Sequence, residues 1–356
     1  MPRPMHVAAT LTGSSQAIHA APPLRPARRK AELLTVAAVA PDTSQDAQPA
    51  RASAPGGGGL LAALFRKDSG VAPRAPEARA PRAAALRLAA GGTCPAHLAD
   101  AIPMRSRTAP GGNAFVARLG EESGATRDLL VAAELLSGNL PDSLRRLTPV
   151  TLSGADAEGR FRSVTVCVMP DYLAVGSDSD FVRLPMGLPA AAQIADSFGF
   201  VLPTTRIVDA VFAQAGLRLA PRPMPPGEQM RTTSYFRQHN ATVELQRSSL
   251  HIAQSTLIAG QKKDLVLSNA LRRVPGRVAI YGWHRGIGQP IQPLSTVHGA
   301  MYADYSHGVR LVSRTAFVDG RAVALTDLLA DPAYADLLSD EGPILAPERL
   351  IASLYR

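Results

Sequence analysis

Hydrophobic and polar residues follow regular patterns only from about residue 110 onward. Several segments of this part place apolar residues at helical spacing, with capping or turn residues at their ends, and predict helices. In the first of them, the spacing predicts an apolar face that contains Leu129, Leu130 and Leu136, with Thr126 as the cap. The predicted helices cover residues 126–139, 189–200, 204–219, 325–338 and 347–355.

Other segments are rich in β-branched and aromatic residues, which favour strands. These segments are residues 163–170, 171–180, 181–186, 242–246, 255–260, 264–269, 277–283, 309–318 and 321–325. Asp319 and Gly320, between the last two, form a dipeptide that is favoured in tight hairpin turns. Runs of strands are interrupted by runs of helices instead of alternating with them. We therefore expect an α+β fold, with a mixed or largely antiparallel sheet and flanking helices.

The N-terminal part of the chain has a different composition. Residues 1–105 are dominated by Ala, Pro, Arg and Gly and contain few aromatic or β-branched residues. Such a segment cannot bury enough apolar surface to offset the entropy lost on ordering. We predict a disordered leader over residues 1–105 and a single α+β domain over residues 106–356. The Pro-rich stretch near residues 220–232 lies either within that domain or between two subdomains.

The charge of the chain changes this picture only slightly. A net charge of +9 and a pI near 10.0 would suggest an anionic partner if the basic residues lay on a folded face. They are concentrated in the leader instead, and they lack the interleaved aromatic residues of a nucleic-acid groove. We therefore do not expect nucleic acid as a partner, and the expected partner is a polymer or small-molecule substrate.

The leader and the cysteines bear on localisation. Residues 25–42, RPARRKAELLTVAAVAPD, combine a basic flank with a short apolar run, which is typical of an export signal. We expect a secreted or periplasmic protein, with the cytoplasm as the alternative because this segment begins well inside the chain. No run approaches about 18 apolar residues, so we predict no transmembrane span. For Cys94 and Cys167 we expect two free thiols.

Residues 278–312 hold an unusual concentration of chemically capable side chains. The segment VAIYGWHRGIGQPIQPLSTVHGAMYADYSHGVRLV contains three of the eight histidines, the single tryptophan and three of the seven tyrosines. Such groups move protons, bind metals or hold polar substrates. We predict an active site here, with catalytic residues His284, His298, Asp304 and His307.

Two chemistries fit these residues. In the first, His298, Asp304 and His307 bind one divalent metal such as Zn²⁺, since three protein ligands suffice for a catalytic site. In the second, no metal is needed, and Asp304 orients one histidine while the other moves a proton. The sequence leaves the cofactor open between them. Ser306 is a less favoured nucleophile, because adjacent residues of a strand point to opposite faces.

Further residues are expected to bind substrate. Alternation along the strand 277–283 places Tyr281 and Trp283 on one face and Gly282 on the other. A lysine from the segment GQKKDLVL either enters the site beside them or lies in a solvated turn, with Lys263 and Asp264 paired at the surface. The residues predicted to bind substrate are Lys263, Trp283, Gln289, Tyr302, Tyr305 and Arg310.

The segments AIYGWH, QPLSTVHG and YADYSHGVRLV, together with the upstream PDYLAVGSDSDFVRLPM, resemble an uncharacterised family of bacterial proteins. The resemblance covers roughly residues 100–314 and leaves out the leader. It implies a folded unit with a variable N-terminal extension, and it brings no activity or cofactor with it.

These observations favour a hydrolase of an amide, ester or glycan bond, acting on a cell-wall or other extracellular polymer through a His/Asp centre. The alternative is a non-catalytic envelope or effector protein that recognises a sugar or peptide through Trp283 and the tyrosines. The two hypotheses differ in the variants that should lose function: His298→Ala and His307→Ala for the hydrolase, and Trp283→Ala for the binding protein.

Overall fold

The computed structural model describes residues 92–156, 158–250 and 252–355. The predicted disorder of residues 1–91 and the proposed export signal therefore lie outside the described residues. The described part is an α+β fold, as the sequence predicts. Its helices, α1 to α9 in chain order, are Gly112–Leu119, Gly124–Leu136, Leu188–Phe198, Thr205–Gln214, Thr233–Ser248, Ala270–Arg273, Leu325–Ala330, Pro332–Leu338 and Pro347–Ser353.

The strands of the described residues, β1 to β13, are Thr148–Ala155, Phe161–Val168, Ala174–Ser177, Asp180–Arg183, Phe200–Val201, Leu217–Arg218, Ile258–Ala259, Lys263–Leu265, Ile280–Gly286, Gln289–Ser295, His307–Gly308, Val312–Val318 and Arg321–Ala324. They form two larger sheets and two small ones. One larger sheet has the order β1-β2-β12-β13, with β5 also paired to β12, and all its pairs are antiparallel. The other has the order β10-β9-β8-β11, in which β8 and β11 run parallel and the other pairs are antiparallel. Strands β3 and β4 form a hairpin, and β6 and β7 form a short parallel pair.

Local signals in the sequence account for several boundaries. Helix α4 begins after Thr204, whose hydroxyl accepts a hydrogen bond from the backbone N–H of Ile207 and so satisfies a free donor of the first turn. Asp319 and Gly320 have φ values of 50° and 73° and join β12 to β13, as their identity predicts. These boundaries are confirmed.

Helix α5 replaces a strand that the sequence predicts at residues 242–246. Thr232 caps this helix by accepting from the backbone N–H of Tyr235. The buried residues Phe236, Val243 and Arg247 then follow at helical spacing. The strand prediction is wrong because it rested on a few local β-formers, whereas the buried face of the whole segment repeats with the helical period.

Helix α2 is confirmed, but the face that it buries differs from the predicted one. Leu129 and Leu130 are 71% and 45% exposed, whereas Arg127 and Asp128 are buried. The carboxylate of Asp128 accepts a hydrogen bond from the backbone N–H of Gly187 at 2.8 Å, and Arg127 donates to a backbone carbonyl. This buried ion pair determines which face of the helix turns inward, and hydrophobic spacing alone does not reveal it. No side-chain hydrogen bond caps the helix start.

A disulfide joins Cys94 to Cys167, with a Cα–Cα distance of 5.9 Å. The expectation of two free thiols is therefore wrong. It treated Cys94 as part of a disordered leader, but Ala99 and Ile102 are buried in the core and bring the preceding residues against β2. The folded unit consequently begins earlier than residue 106.

The main hydrophobic core contains residues from both sides of the Pro-rich stretch 220–232, from Ala99 to Ile351. The two halves therefore share a core. Among the helices of the described residues, none combines the length and the hydropathy needed to cross a membrane.

Candidate active site

The sheet β10-β9-β8-β11 gathers the predicted site residues from distant parts of the chain. Lys263 in β8 lies between β9 on one side and His307 of β11 on the other. The connection from β10 to β11, residues 296–306, carries His298 and Asp304. The charge of Lys263 acts on His298, Asp304 and His307, so three of the four predicted catalytic residues lie near it.

Trp283 breaks the regular alternation of β9. Its φ is 57° and that of the preceding Gly282 is 110°, backbone conformations that L side chains rarely adopt. The indole packs under the ammonium of Lys263, which lies 5.1 Å from the ring centroid, whereas the Tyr281 hydroxyl donates to Asp209. The prediction that Tyr281 and Trp283 share a face is wrong, because the unusual backbone interrupts the two-residue period. Backbone strain of this kind is concentrated at functional sites.

Asp304 is a buried carboxylate that remains ionised. Its Oδ1 accepts hydrogen bonds from the backbone N–H and the hydroxyl of Ser306 at 2.7 and 2.6 Å, and its Oδ2 accepts from the Tyr302 hydroxyl at 3.2 Å. Burial alone would raise the pKa of Asp304, but His307, Lys263 and the Ser306 hydrogen bonds outweigh it and lower the pKa to about 2. The hydroxyl of Ser306 donates to this carboxylate, but the lowered pKa of Asp304 makes it a weak base, so Ser306 is poorly activated as a nucleophile.

His307 lies behind this carboxylate and is fully buried. Its Nε2 is 3.7 Å from Oδ2 of Asp304, and neither ring nitrogen has a hydrogen-bond partner among the described residues. Burial lowers the pKa of His307 to about 4, although the charge of Asp304 opposes the shift. In the same described part of the chain, the Nε1 atom of Trp283 also lacks a hydrogen-bond partner. Buried polar atoms without partners are rare and point to a bound water or ligand.

His298 is the partly exposed histidine of this cluster. Its ring stacks on Tyr302 with centroids 4.0 Å apart and lies 6.4 Å from the ring of His307. Burial lowers the pKa of His298, as do the charges of Lys263 and Arg277, and only Asp304 opposes them. A neutral imidazole that reaches the surface can accept a proton from water.

The predicted metal site has little geometric support. Within residues 92–156, 158–250 and 252–355, no group of three or more His, Cys, Asp or Glu side chains is arranged to hold a metal ion. His298, Asp304 and His307 are near one another, but His298 is stacked on Tyr302 and the hydrogen bonds of Asp304 come from protein donors. These residues do not fit a three-ligand metal centre.

His284 does not join the cluster. Its Nε2 lies 2.7 Å from Oδ1 of Asp209, its ring stacks on Phe212 at 4.7 Å, and the same carboxylate accepts from the Tyr281 hydroxyl. Its side chain is 2% exposed. His284 thus anchors β9 to helix α4, away from the group around Lys263. Sequence reasoning missed Asp209, although a single acid within the apolar part of a predicted helix is a signal that it has a buried partner.

The remaining predicted substrate residues occupy other places. Arg310 is buried and donates to the backbone carbonyls of Met169 and Ile258. Gln289 is exposed at the β9–β10 turn, opposite Gly286. Tyr305 belongs to the cluster but is 3% exposed, and its hydroxyl contacts the backbone of Met224. The structure therefore keeps Lys263, Trp283, Tyr302 and Tyr305 with the site and separates Gln289 and Arg310 from it.

A cleft of about 550 Å³ opens beside Tyr302. Its volume is within the range of ligand pockets, about 300–1,000 Å³. Charges of both signs line it, together with neutral hydrogen-bonding groups: Glu121, Ser123, Arg127, Glu228, Gln229, Arg231 and Thr232. The Tyr302 phenol thus lies between an open cleft and the buried carboxylate of Asp304.

Comparisons with protein-family models, with curated proteins and with solved structures found no match to this chain. The class of site is therefore inferred from its own geometry: a histidine, a lysine and an ionised carboxylate grouped around Tyr302, which lines a polar cleft.

Proposed function

We propose that the protein is a hydrolase of an ester, amide or glycan bond in which His298 activates water. The observation that carries this proposal is the convergence of Lys263, His298, Asp304 and His307 around Tyr302, which itself lines an open polar cleft. A proton acceptor, a cation and an ionised carboxylate are groups that enzymes use to hydrolyse such bonds. The partnerless nitrogens of His307 and Trp283 add support, because packing alone gives no reason to bury them.

In the proposed reaction, His298 takes a proton from water as the oxygen of that water attacks the scissile carbon. The imidazolium then returns the proton to the leaving group. The lowered pKa of His298 supports this role, since the imidazole must be neutral to begin. Asp304, held ionised, stabilises the imidazolium that forms.

Lys263 is the proposed stabiliser of the developing negative charge. Burial lowers its pKa, and the neighbouring Asp304 favours its charged form. Its ammonium is fixed over the face of Trp283, so its position costs little reorganisation when charge develops. His307 acts as a positioning residue that packs against the carboxylate of Asp304, with its Nε2 3.7 Å from Oδ2.

The disulfide supports the proposal that the protein is secreted or periplasmic, because such bonds persist in oxidising compartments. A cell-wall or other extracellular polymer is then the proposed substrate. The mixed charges of the cleft suit a substrate that carries both positive and negative groups.

A binding module that grips a sugar through aromatic rings has less support. Trp283 and Tyr305 are 6% and 3% exposed, so their faces are not free for stacking. Tyr302 is only partly buried, but His298 already stacks on its ring.

The test uses the full chain against p-nitrophenyl esters, p-nitrophenyl glycosides, peptide amides and peptidoglycan fragments. We expect His298→Gln to lower kcat/KM by about 100-fold or more on the substrate that is turned over. His97→Gln, at an exposed histidine of the short 3₁₀ helix Ala96–Ala99, is the matched control and should leave the rate unchanged. Equal rates for His298→Gln and the unchanged chain would contradict the proposal, as would a similar loss in His97→Gln.

A further inference from the structure

A second cleft of about 510 Å³ lies where helices α3, α6 and α9 meet the backbone near Ala300. Its apolar lining is formed by Leu188, Pro189, Leu271, Pro275, Leu350 and Leu354. Leu188, Leu271 and Leu350 are buried, so the floor of the cleft is apolar. A cleft of this kind removes an apolar ligand chain from water at roughly 25 cal/mol for each Å² covered.

The rim of this cleft has one sign of charge. Arg272, Arg277 and Arg349 line it and are exposed, and the lining contains no acidic residue. Arg272 and Arg277 are held in place, since they donate to the backbone carbonyls of Leu345 and Val297 respectively. Guanidinium groups match carboxylates geometrically.

We propose that this cleft binds a free medium-chain carboxylate, with the acyl chain on the apolar floor and the anionic head at the arginine rim. The occupant is deduced from charge complementarity together with the apolar floor. The leader is an inferior occupant, because residues 1–91 contain twelve Lys and Arg against five Asp and Glu and would be repelled by the rim. The proposal is independent of the hydrolase proposal, because it concerns binding at a cleft whose lining does not include His298 or Lys263.

Calorimetric titration of the full chain with octanoate, octyl glucoside and octyltrimethylammonium tests the head-group requirement. These probes share one chain length and differ in charge. We expect octanoate to bind at least about tenfold more tightly than octyl glucoside, since a charge-assisted hydrogen bond contributes on the order of 1.5–3 kcal/mol. The cationic probe should not bind. Equal binding of all three would overturn the proposal by showing unspecific apolar contact.

Two pairs of variants locate the site. Arg349→Glu should abolish octanoate binding, whereas Arg273→Gln should not change it, because Arg273 is exposed on the same surface but does not line the cleft. Ser353→Trp should block the cleft with a side chain added at its exposed edge, whereas Ser353→Ala should leave binding intact. Octanoate binding that survives both Arg349→Glu and Ser353→Trp would overturn the proposal.

Sedimentation in the same buffer tests the competing occupants. Self-association that Ser353→Trp abolishes, without octanoate binding, would assign the cleft to a second copy of the chain. Binding only to anionic phospholipid vesicles, and not to free octanoate, would assign it to a membrane surface. Either result would overturn the proposal.

Discussion

The Nε2 atom of His307 lies 3.7 Å from the Oδ2 atom of Asp304. This distance is beyond a hydrogen bond, but it is short enough for the charge of one group to influence the other. The pair therefore combines an ionised carboxylate with a neutral imidazole. Because burial lowers the pKa of His307, the protonation of this residue differs between the folded and the unfolded chain.

Replacing His307 by Phe should flatten the dependence of stability on pH. The folded-state pKa of His307 is about 4, below the ordinary value of 6.5. Between these values the unfolded chain binds a proton that the folded chain does not, so the free energy of unfolding falls as the pH drops. In the unchanged chain this loss is up to about 3 kcal/mol. In His307→Phe, the contribution of residue 307 to the loss should be absent. Urea unfolding at pH 7 and pH 4.5 measures this loss in the unchanged chain, in His307→Phe and in the control His97→Gln. An equal change in the free energy of unfolding between the two pH values in all three chains would contradict the prediction.

Lys262→Met should stabilise the protein at neutral pH. Lys262 is 1% exposed and donates to the backbone carbonyl of Tyr305 at 2.5 Å. Burial, followed by the charge of Arg183, lowers the pKa of Lys262 to about 7. We expect a gain of about 1–3 kcal/mol, because a well-packed apolar side chain avoids the cost of burying charge.

The gain from Lys262→Met should also depend on pH in a defined direction. Between pH 7 and 10.5 the unfolded chain binds the proton that folded Lys262 has released, so the unchanged chain becomes relatively more stable as the pH rises. The difference between the two chains should therefore shrink across this window. Urea unfolding of both chains across this pH window measures the difference in their free energies of unfolding. A difference that does not vary with pH would argue against a buried lysine with a lowered pKa.

Loss of the disulfide should destabilise the folded unit. The bond closes a loop with a sequence separation of 73 residues between Cys94 and Cys167. We expect the free energy of unfolding to fall by about 2–4 kcal/mol on reduction, since the unfolded chain regains conformational freedom. Urea unfolding with and without dithiothreitol measures the change. The Cys94→Ser/Cys167→Ser chain is the control and should not respond to the reductant.

His284→Gln should affect stability more than hydrolysis. The substitution removes the stacking on Phe212 and disturbs the hydrogen bond to Asp209, which we expect to cost about 1–3 kcal/mol. The hydrolytic rate should stay within about twofold, because His284 contacts Asp209, Phe212 and Tyr281 and none of the residues assigned to the reaction. A loss of rate as large as that of His298→Gln would show that the two histidine groups work as one site.

The sequence predicts the fold class and most elements correctly where hydrophobic spacing and turn residues agree. Helix α4 with its Thr204 cap and the hairpin at Asp319 are examples. It fails at α5, where polar side chains such as His239 and Asn240 are buried and conceal the helical period. The spacing of apolar residues reveals a buried face only where that face is apolar, so it cannot identify one that contains polar residues.

The site is predicted in part for a similar reason. His298, Asp304 and His307 are predicted because residues 278–312 contain so many of the chain's His, Tyr and Trp residues, and that prediction needs no knowledge of distances. The separate location of His284 depends on Asp209, which lies 75 residues earlier in the chain and is brought close by the packing of α4 on β9. The inward turn of Trp283 depends on a backbone conformation that residue type does not reveal.

Strand β10 has a consequence for how the molecules behave when concentrated. It forms one edge of the sheet that carries the site, and its Pro290 and Pro293 have no backbone N–H to offer a further strand. The other edge, β11, is only two residues long. A neighbouring molecule therefore finds no continuous ladder at either edge, so this sheet resists the edge-to-edge aggregation to which open sheets are prone.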